Sequence, residues 1–170
     1  MKTHMNSADV AEAAAATIMS LTLNDENIDS VGDLDCVGLL ISAIEKHMKN
    51  AKVVKNSCLA LASLVEPDEE SAYRVLTNEV ASGGHVAGVP IILKAYELHK
   101  DNAEVVESIV SLVMELAEYD EICGDMYHFK IGFKLWEIQQ KFTKNKDIME
   151  PCEKALGKLQ LISGQKSIPA

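Results

Sequence analysis

The apolar positions of this chain recur at helical spacing, and the recurrence is itself repeated. Val53, Cys58, Leu61 and Leu64 lie mostly three to five residues apart, the stripe of one buried helical face. Fifty-two residues later Val105, Val110, Val113 and Leu116 repeat the stripe. The approach to each stripe is shared as well. Residues 43–54 read AIEKHMKNAKVV and residues 95–106 read AYELHKDNAEVV, identical at seven of twelve positions. A shift of 43 carries Asn102, Val105, Val106, Val113 and Leu116 onto Asn145, Ile148, Met149, Leu156 and Leu159. The same shift backwards carries Val53, Leu61 and Leu64 onto Val10, Ile18 and Leu21. Self-similarity at such a period marks a solenoid, in which each unit buries its apolar face on its neighbours.

The breakers between stripes predict three helices per unit. Asn24–Val31 is a short first helix, ended by Gly32, with Asp33 placed to cap the next. The second helix, about 34–48, carries Leu34, Val37, Leu40, Ile41 and Ile44, and a turn at Lys49–Lys52 leads into the long third helix. In the following unit, proline and acids at Glu66–Glu70 open a first helix predicted to run to about Ala81. Ser82-Gly83-Gly84 stops it, and Pro90 opens the second helix. In the last unit Asp120–His128 is the short helix and Lys130–Phe142 the second. The difference between the shifts of 52 and 43 puts nine extra residues between Glu66 and Val89, expected in a lengthened first helix and the Ser82–Gly88 loop. The organisation expected is a remnant of expression at 1–5, a repeat domain over 6–162 and a tail at 163–170. The domain divides into a partial unit at 9–23 and full units at 24–65, 66–117 and 118–162.

The second helix GLLISAIEKH (38–47), the Asn50 turn and the third helix VVKNSCLALASL (53–64) together resemble the armadillo repeat. The likeness covers residues 9–162 and implies an all-α, right-handed solenoid of about three and a half units. It also implies that third helices stack and line a concave groove for an extended segment. Importin-alpha-type members carry a Trp and an Asn on each such helix. Here those places hold Leu59 and Ser63, Ser111 and Glu115, Lys154 and Lys158, with Ala16 and Ser20 in the partial unit. Nuclear-signal binding of that kind is therefore not implied. The groove residues expected are Asn56, Leu59, Ser63, Ser108, Ser111, Glu115, Lys154 and Lys158, on one face by their spacing.

Composition fits a protein or peptide partner. Among 170 residues 48% are apolar and only 5% aromatic, so the core is aliphatic. No apolar run is long enough for a membrane. A net charge of −10 argues against nucleic acid and toward a basic partner. Cys36, Cys58, Cys123 and Cys152 show no zinc spacing and read as reduced, buried thiols of a cytoplasmic or nuclear protein.

The residues that invite chemistry have plainer readings. His47 and His99 hold equivalent places near the ends of second helices, a structural role, since a shared zinc needs closer approach than packed helices allow. Glu66–Glu70 lacks the alternating ligands of a calcium loop, and Gly83-Gly84-His85 lacks the rest of a phosphate loop. Trp136, the sole tryptophan, aligns with Ile41 and Leu93 and is expected in the core, the alternative being an exposed anchor on a partner. No catalytic set converges, so no enzyme, cofactor or metal is expected. The expected function is non-catalytic binding of a partner segment, with self-association possible through the truncated N-terminal end. The alternatives are a regulatory or scaffold segment packing on its own chain, of kinase-like or cytoskeletal type, and a helical enzyme or metal protein built on His47 and His99.

Overall fold

Four turns of the same design organise the chain. Asn50, Asn102 and Asn145 each accept a backbone N–H two or three residues ahead, at 3.0, 3.4 and 3.1 Å. Ser7 does so at 3.4 Å and stands 43 positions before Asn50. Each of these residues also donates its own N–H to a carbonyl three residues back, that of His4, His47, His99 or Phe142, at 2.7–2.9 Å. A short polar side chain that satisfies an orphan N–H is what starts a helix after a tight turn. His4 and Met5 therefore take up repeat positions, although the sequence sets residues 1–5 apart.

The computed structural model describes residues 2–22, 35–76, 78–80, 84–86 and 88–165. Its helices are α1 (Ala8–Thr22), α2 (Cys36–Lys46), α3 (Ala51–Val65), α4 (Glu69–Leu76), α5 (Gly88–His99), α6 (Ala103–Leu116), α7 (Asp120–His128), α8 (Ile131–Lys141) and α9 (Lys146–Gln165). Among the described residues the secondary structure is helical apart from one short hairpin. The predicted Asn24–Val31 helix, Gly32 break and Asp33 cap lie outside the described residues.

Helices α1, α3, α6 and α9 pack in that order, each on the next. Val53, Cys58, Leu61 and Leu64 of α3 are buried, as are Val105, Val110, Val113 and Leu116 of α6. A second row forms beside the first, with α2 on α5. Ion pairs link α8 to α5 and to the turn after it: Lys134 reaches Glu97 at 2.5 Å, and Lys141 pairs with Asp101. Helix α4 packs on α7, where the Tyr73 hydroxyl meets Glu121.

The extra residues of the middle unit are a hairpin rather than a lengthened helix. Helix α4 is capped by Asp68, which accepts from Glu70 and Ser71 N–H at 3.2 and 2.9 Å, and it ends at Leu76 instead of Ala81. Strands Asn78–Val80 and Gly84–Val86 then pair antiparallel, Glu79 opposite His85. Helix α5 begins two residues before Pro90, so the proline lies in the first turn, where its missing N–H costs nothing.

Gly88 marks a tight crossing. A Cβ there would fall 2.4 Å from the Val75 carbonyl oxygen and 2.7 Å from Ile41 Cδ1. Gly88→Ala is thus expected to destabilise by ~1–3 kcal/mol through overpacking, although alanine favours helix. Leu61→Ala, at a fully buried site between units, should lose ~2–5 kcal/mol, and Val113→Ala less. Denaturant midpoints check all three, and a wild-type midpoint for Leu61→Ala would contradict the packing register.

Candidate functional site

One stripe of every third-type helix faces solvent, in a common register. On α3 it holds Lys52, Lys55, Asn56, Leu59 and Ser63, and Glu66 follows at the helix end. On α6 it holds Glu104, Glu107, Ser111 and Glu115, then Glu118, and on α9 Asp147, Glu150, Lys154 and Lys158. Rungs cross between the helices: Lys52 Nζ to Glu12 at 3.9 Å, Lys55 Nζ to Glu104 at 2.7 Å and Lys158 Nζ to Glu118 at 2.6 Å. Exposed pairs of this kind contribute little stability each but hold long side chains in place.

Seven of the eight expected groove residues lie on this stripe. Asn56, Leu59, Ser63, Ser111, Glu115 and Lys158 are half-buried and Lys154 is exposed. Ser108 is the exception and corrects the sequence reading. It is 1% exposed, and its hydroxyl donates to the Val105 carbonyl at 2.8 Å. Ser108 is short and its hydroxyl is satisfied within its own helix, so it lies covered where the longer Asn56, in the equivalent place on α3, stays half-buried.

The stripe is rich in acceptors. The Ser63 and Ser111 hydroxyls donate backwards, to the Leu59 and Glu107 carbonyls at 3.1 and 3.0 Å. A hydroxyl whose single proton is used keeps only lone pairs to offer. Burial holds the Glu115 carboxyl above its ordinary range, and the nearby charges of Glu66 and Glu118 add to the effect, against a smaller opposing influence from Lys154. The place is suited to a donor or a cation that would relieve that carboxylate.

Trp136 is not in the core. It is 52% exposed and stacks on Phe133, itself 58% exposed, with ring centroids 6.0 Å apart. Its register partner Ile41 is 1% exposed, and Leu93 is partly buried. The position is apolar in each unit, but it is covered only where a following second-type helix lies over it, as α5 lies over α2. Tyr127, Lys130, Phe133, Trp136, Leu156 and Gln160 help to line a groove of about 650 Å³ there. Sequence reasoning held an exposed Trp136 only as the alternative and missed the groove around it. One signal was available: Lys130, Lys134, Lys141, Lys144 and Lys146 against the single acid Glu137 in a chain of net charge −10.

The histidines are committed to backbone. His47 Nε2–H donates to the Met5 carbonyl and His99 Nε2–H to the Met48 carbonyl, each at 2.8 Å. Met5 and Met48 are themselves equivalent positions, 43 apart. In the last unit Phe142 replaces the histidine, and Lys141 Nζ donates at 2.6 Å to the Lys100 carbonyl, again the equivalent position. Each unit thus ties the end of its second helix to the turn of the unit before. Among the described residues no group of three His, Cys, Asp or Glu is placed to hold a metal. All four cysteines are free and buried, and burial pushes the Cys58 and Cys152 thiols up to about 12. Such thiols are poor nucleophiles. No family model and no solved structure matches this chain.

Loss of a cross-unit hydrogen bond has a measurable size. His99→Ala should lower unfolding free energy by ~0.5–1.5 kcal/mol, and His47→Ala by a similar amount. His99→Gln, which keeps a side-chain N–H donor, should recover part of the loss. Equal stability of His99→Ala and wild type in urea would show that the bond contributes nothing.

Proposed function

We propose that this chain is a non-catalytic binding module, an armadillo-like right-handed solenoid of about three and a half units. Its third-type helices α3, α6 and α9 hold a segment of a protein partner. The observation that carries the reading is the half-buried Glu115 carboxyl, raised by burial and by Glu66 and Glu118, in the middle of an acceptor-lined stripe. A segment with lysine or arginine at its centre would pair with this carboxylate. Its backbone N–H groups would find acceptors at Ser63 and Ser111. Lys154 favours an acidic residue toward the α9 end, whereas Lys158 is already neutralised by Glu118.

Several features support the solenoid within this reading. The capped turns fall in register at Ser7, Asn50, Asn102 and Asn145, and the cross-unit bonds fall at Met5, Met48 and Lys100. Repeats stacked this way expose long surfaces along one helix row, which suits extended ligands. Binding of this kind needs no cofactor.

The Glu115 carboxyl makes the test specific. In the free protein folding favours its protonated form. The stability from this group is therefore full below the ordinary carboxylate range and is lost as pH rises through its raised titration. Glu115→Gln should remove that decline and be more stable than wild type at neutral pH. A bound cation draws the pKa back down, so affinity for a lysine-centred peptide should rise over the same pH interval, with proton release. Glu115→Lys should weaken the peptide by about tenfold or more and reduce its salt dependence. Calorimetric titration reads these effects. Unchanged affinity for both Glu115→Lys and Leu59→Asp would place the binding surface elsewhere.

A further inference from the structure

The three helices of the binding stripe carry three different chemistries in register. Shifts of 52 and 43 put Leu59, Ser111 and Lys154 at one height on α3, α6 and α9, with Ser63, Glu115 and Lys158 about one turn further on. Leu59 is half-buried, and the equivalent place on α1 holds Ala16, so this part of the stripe is apolar and bordered by a small side chain. Among the described residues the cross-helix ion pairs of the stripe are Lys52–Glu12, Lys55–Glu104 and Lys158–Glu118. They leave the half-buried Glu115 on α6 and the exposed Lys154 on α9 without one.

Packed helices stand ~8–10 Å apart. A chain in the polyproline II form advances about 3.1 Å per residue and turns once in three residues, so every third side chain recurs on one face after about 9 Å. Successive side chains of that face therefore meet successive helices of the row. An α-helical segment advances about 1.5 Å per residue and would meet them only at about every seventh residue. Its N–H groups are also spent within itself, whereas those of polyproline II are free to donate. The stripe offers them lone pairs, because the Ser20, Ser63 and Ser111 hydroxyls all donate backwards into their own helices, at 2.9, 3.1 and 3.0 Å. Granted this stripe as the binding surface, we propose that its occupant is an extended, polyproline-II-like segment with an apolar, a basic and an acidic residue at intervals of three. The apolar residue packs on Leu59, the basic one pairs with Glu115 and the acidic one with Lys154. The residues between them turn away from the helices, so proline fits there.

Anisotropy titrations with labelled, capped synthetic peptides test the spacing. One peptide carries leucine, lysine and glutamate at intervals of three, with serine and proline between them, and a second carries the same residues in reverse order. In the tighter binder of the two, one extra residue between leucine and lysine should weaken binding by about tenfold or more. Further prolines at the intervening places should not. Lys154→Glu, with wild-type circular dichroism, should weaken the same peptide and prefer a version in which lysine replaces the glutamate. Equal binding of the regular and the lengthened peptide, both lost in Glu115→Lys, would overturn the spacing and leave the binding stripe standing. So would tighter binding of a helix-forming peptide with the three residues at intervals of seven. No binding of any of these peptides up to millimolar concentration would overturn the spacing and the binding stripe together.

Discussion

The seam between neighbouring third-type helices is the constraint on which the rest depends. None of these helices can bury its apolar stripe within its own unit. Val53, Leu61 and Leu64 of α3 need α1 and α6 on either side, and Val105, Val113 and Leu116 of α6 need α3 and α9. Burial of a large aliphatic side chain contributes ~1.5–3 kcal/mol, so a row of such contacts outweighs the polar bonds beside it. The hydrogen bonds from His47, His99 and Lys141 act differently. They are individually modest, but they set the angle and register at which each second helix meets the previous turn. Repetition of one geometry follows from repetition of one set of contacts.

Much of this architecture was legible in the residues, and the limits of legibility have a physical cause. Helical periodicity reports which side of a helix is apolar, and the shifts of 52 and 43 report which helices are alike. Both held for the buried stripes of α3 and α6 and for the Asn50 and Asn102 turns. Periodicity does not report whether a neighbour exists to cover an apolar side. Trp136 was therefore misplaced in the core by its alignment with Ile41, which α5 covers. Ser108 was misplaced in the groove because a polar letter does not report that a short hydroxyl can be satisfied by its own helix backbone and lie buried. The hairpin was hidden because an acidic, capped helix start says nothing of where the helix ends. The partners of His47 and His99 were out of reach, since a backbone carbonyl has no letter in the sequence. The Ser7 turn is legible only once Asn50 is seen to cap with its side chain, a task serine can share.

The functional proposals rest on the same uneven coverage. Along the middle of the row, solvent reaches a narrow stripe whose polar atoms mostly accept, with Glu115 as its least comfortable charge. The proposed partner, a donor-rich, basic segment, would suit such a surface. Helix α1 leaves Val10 exposed, and α8 leaves Phe133 and Trp136 exposed. A chain that is acidic as a whole and basic near α8 has a built-in electrostatic polarity along the row.

Native-state hydrogen exchange tests the central claim, that the seams between third-type helices hold the molecule together. The account predicts that amides of α6, which is covered on both sides, exchange only through global unfolding. Those of α3 should follow closely. Helix α1, with one seam, should open at a distinctly lower free energy. Protection of α1 equal to that of α6, or earlier opening of α6 than of α1, would contradict it.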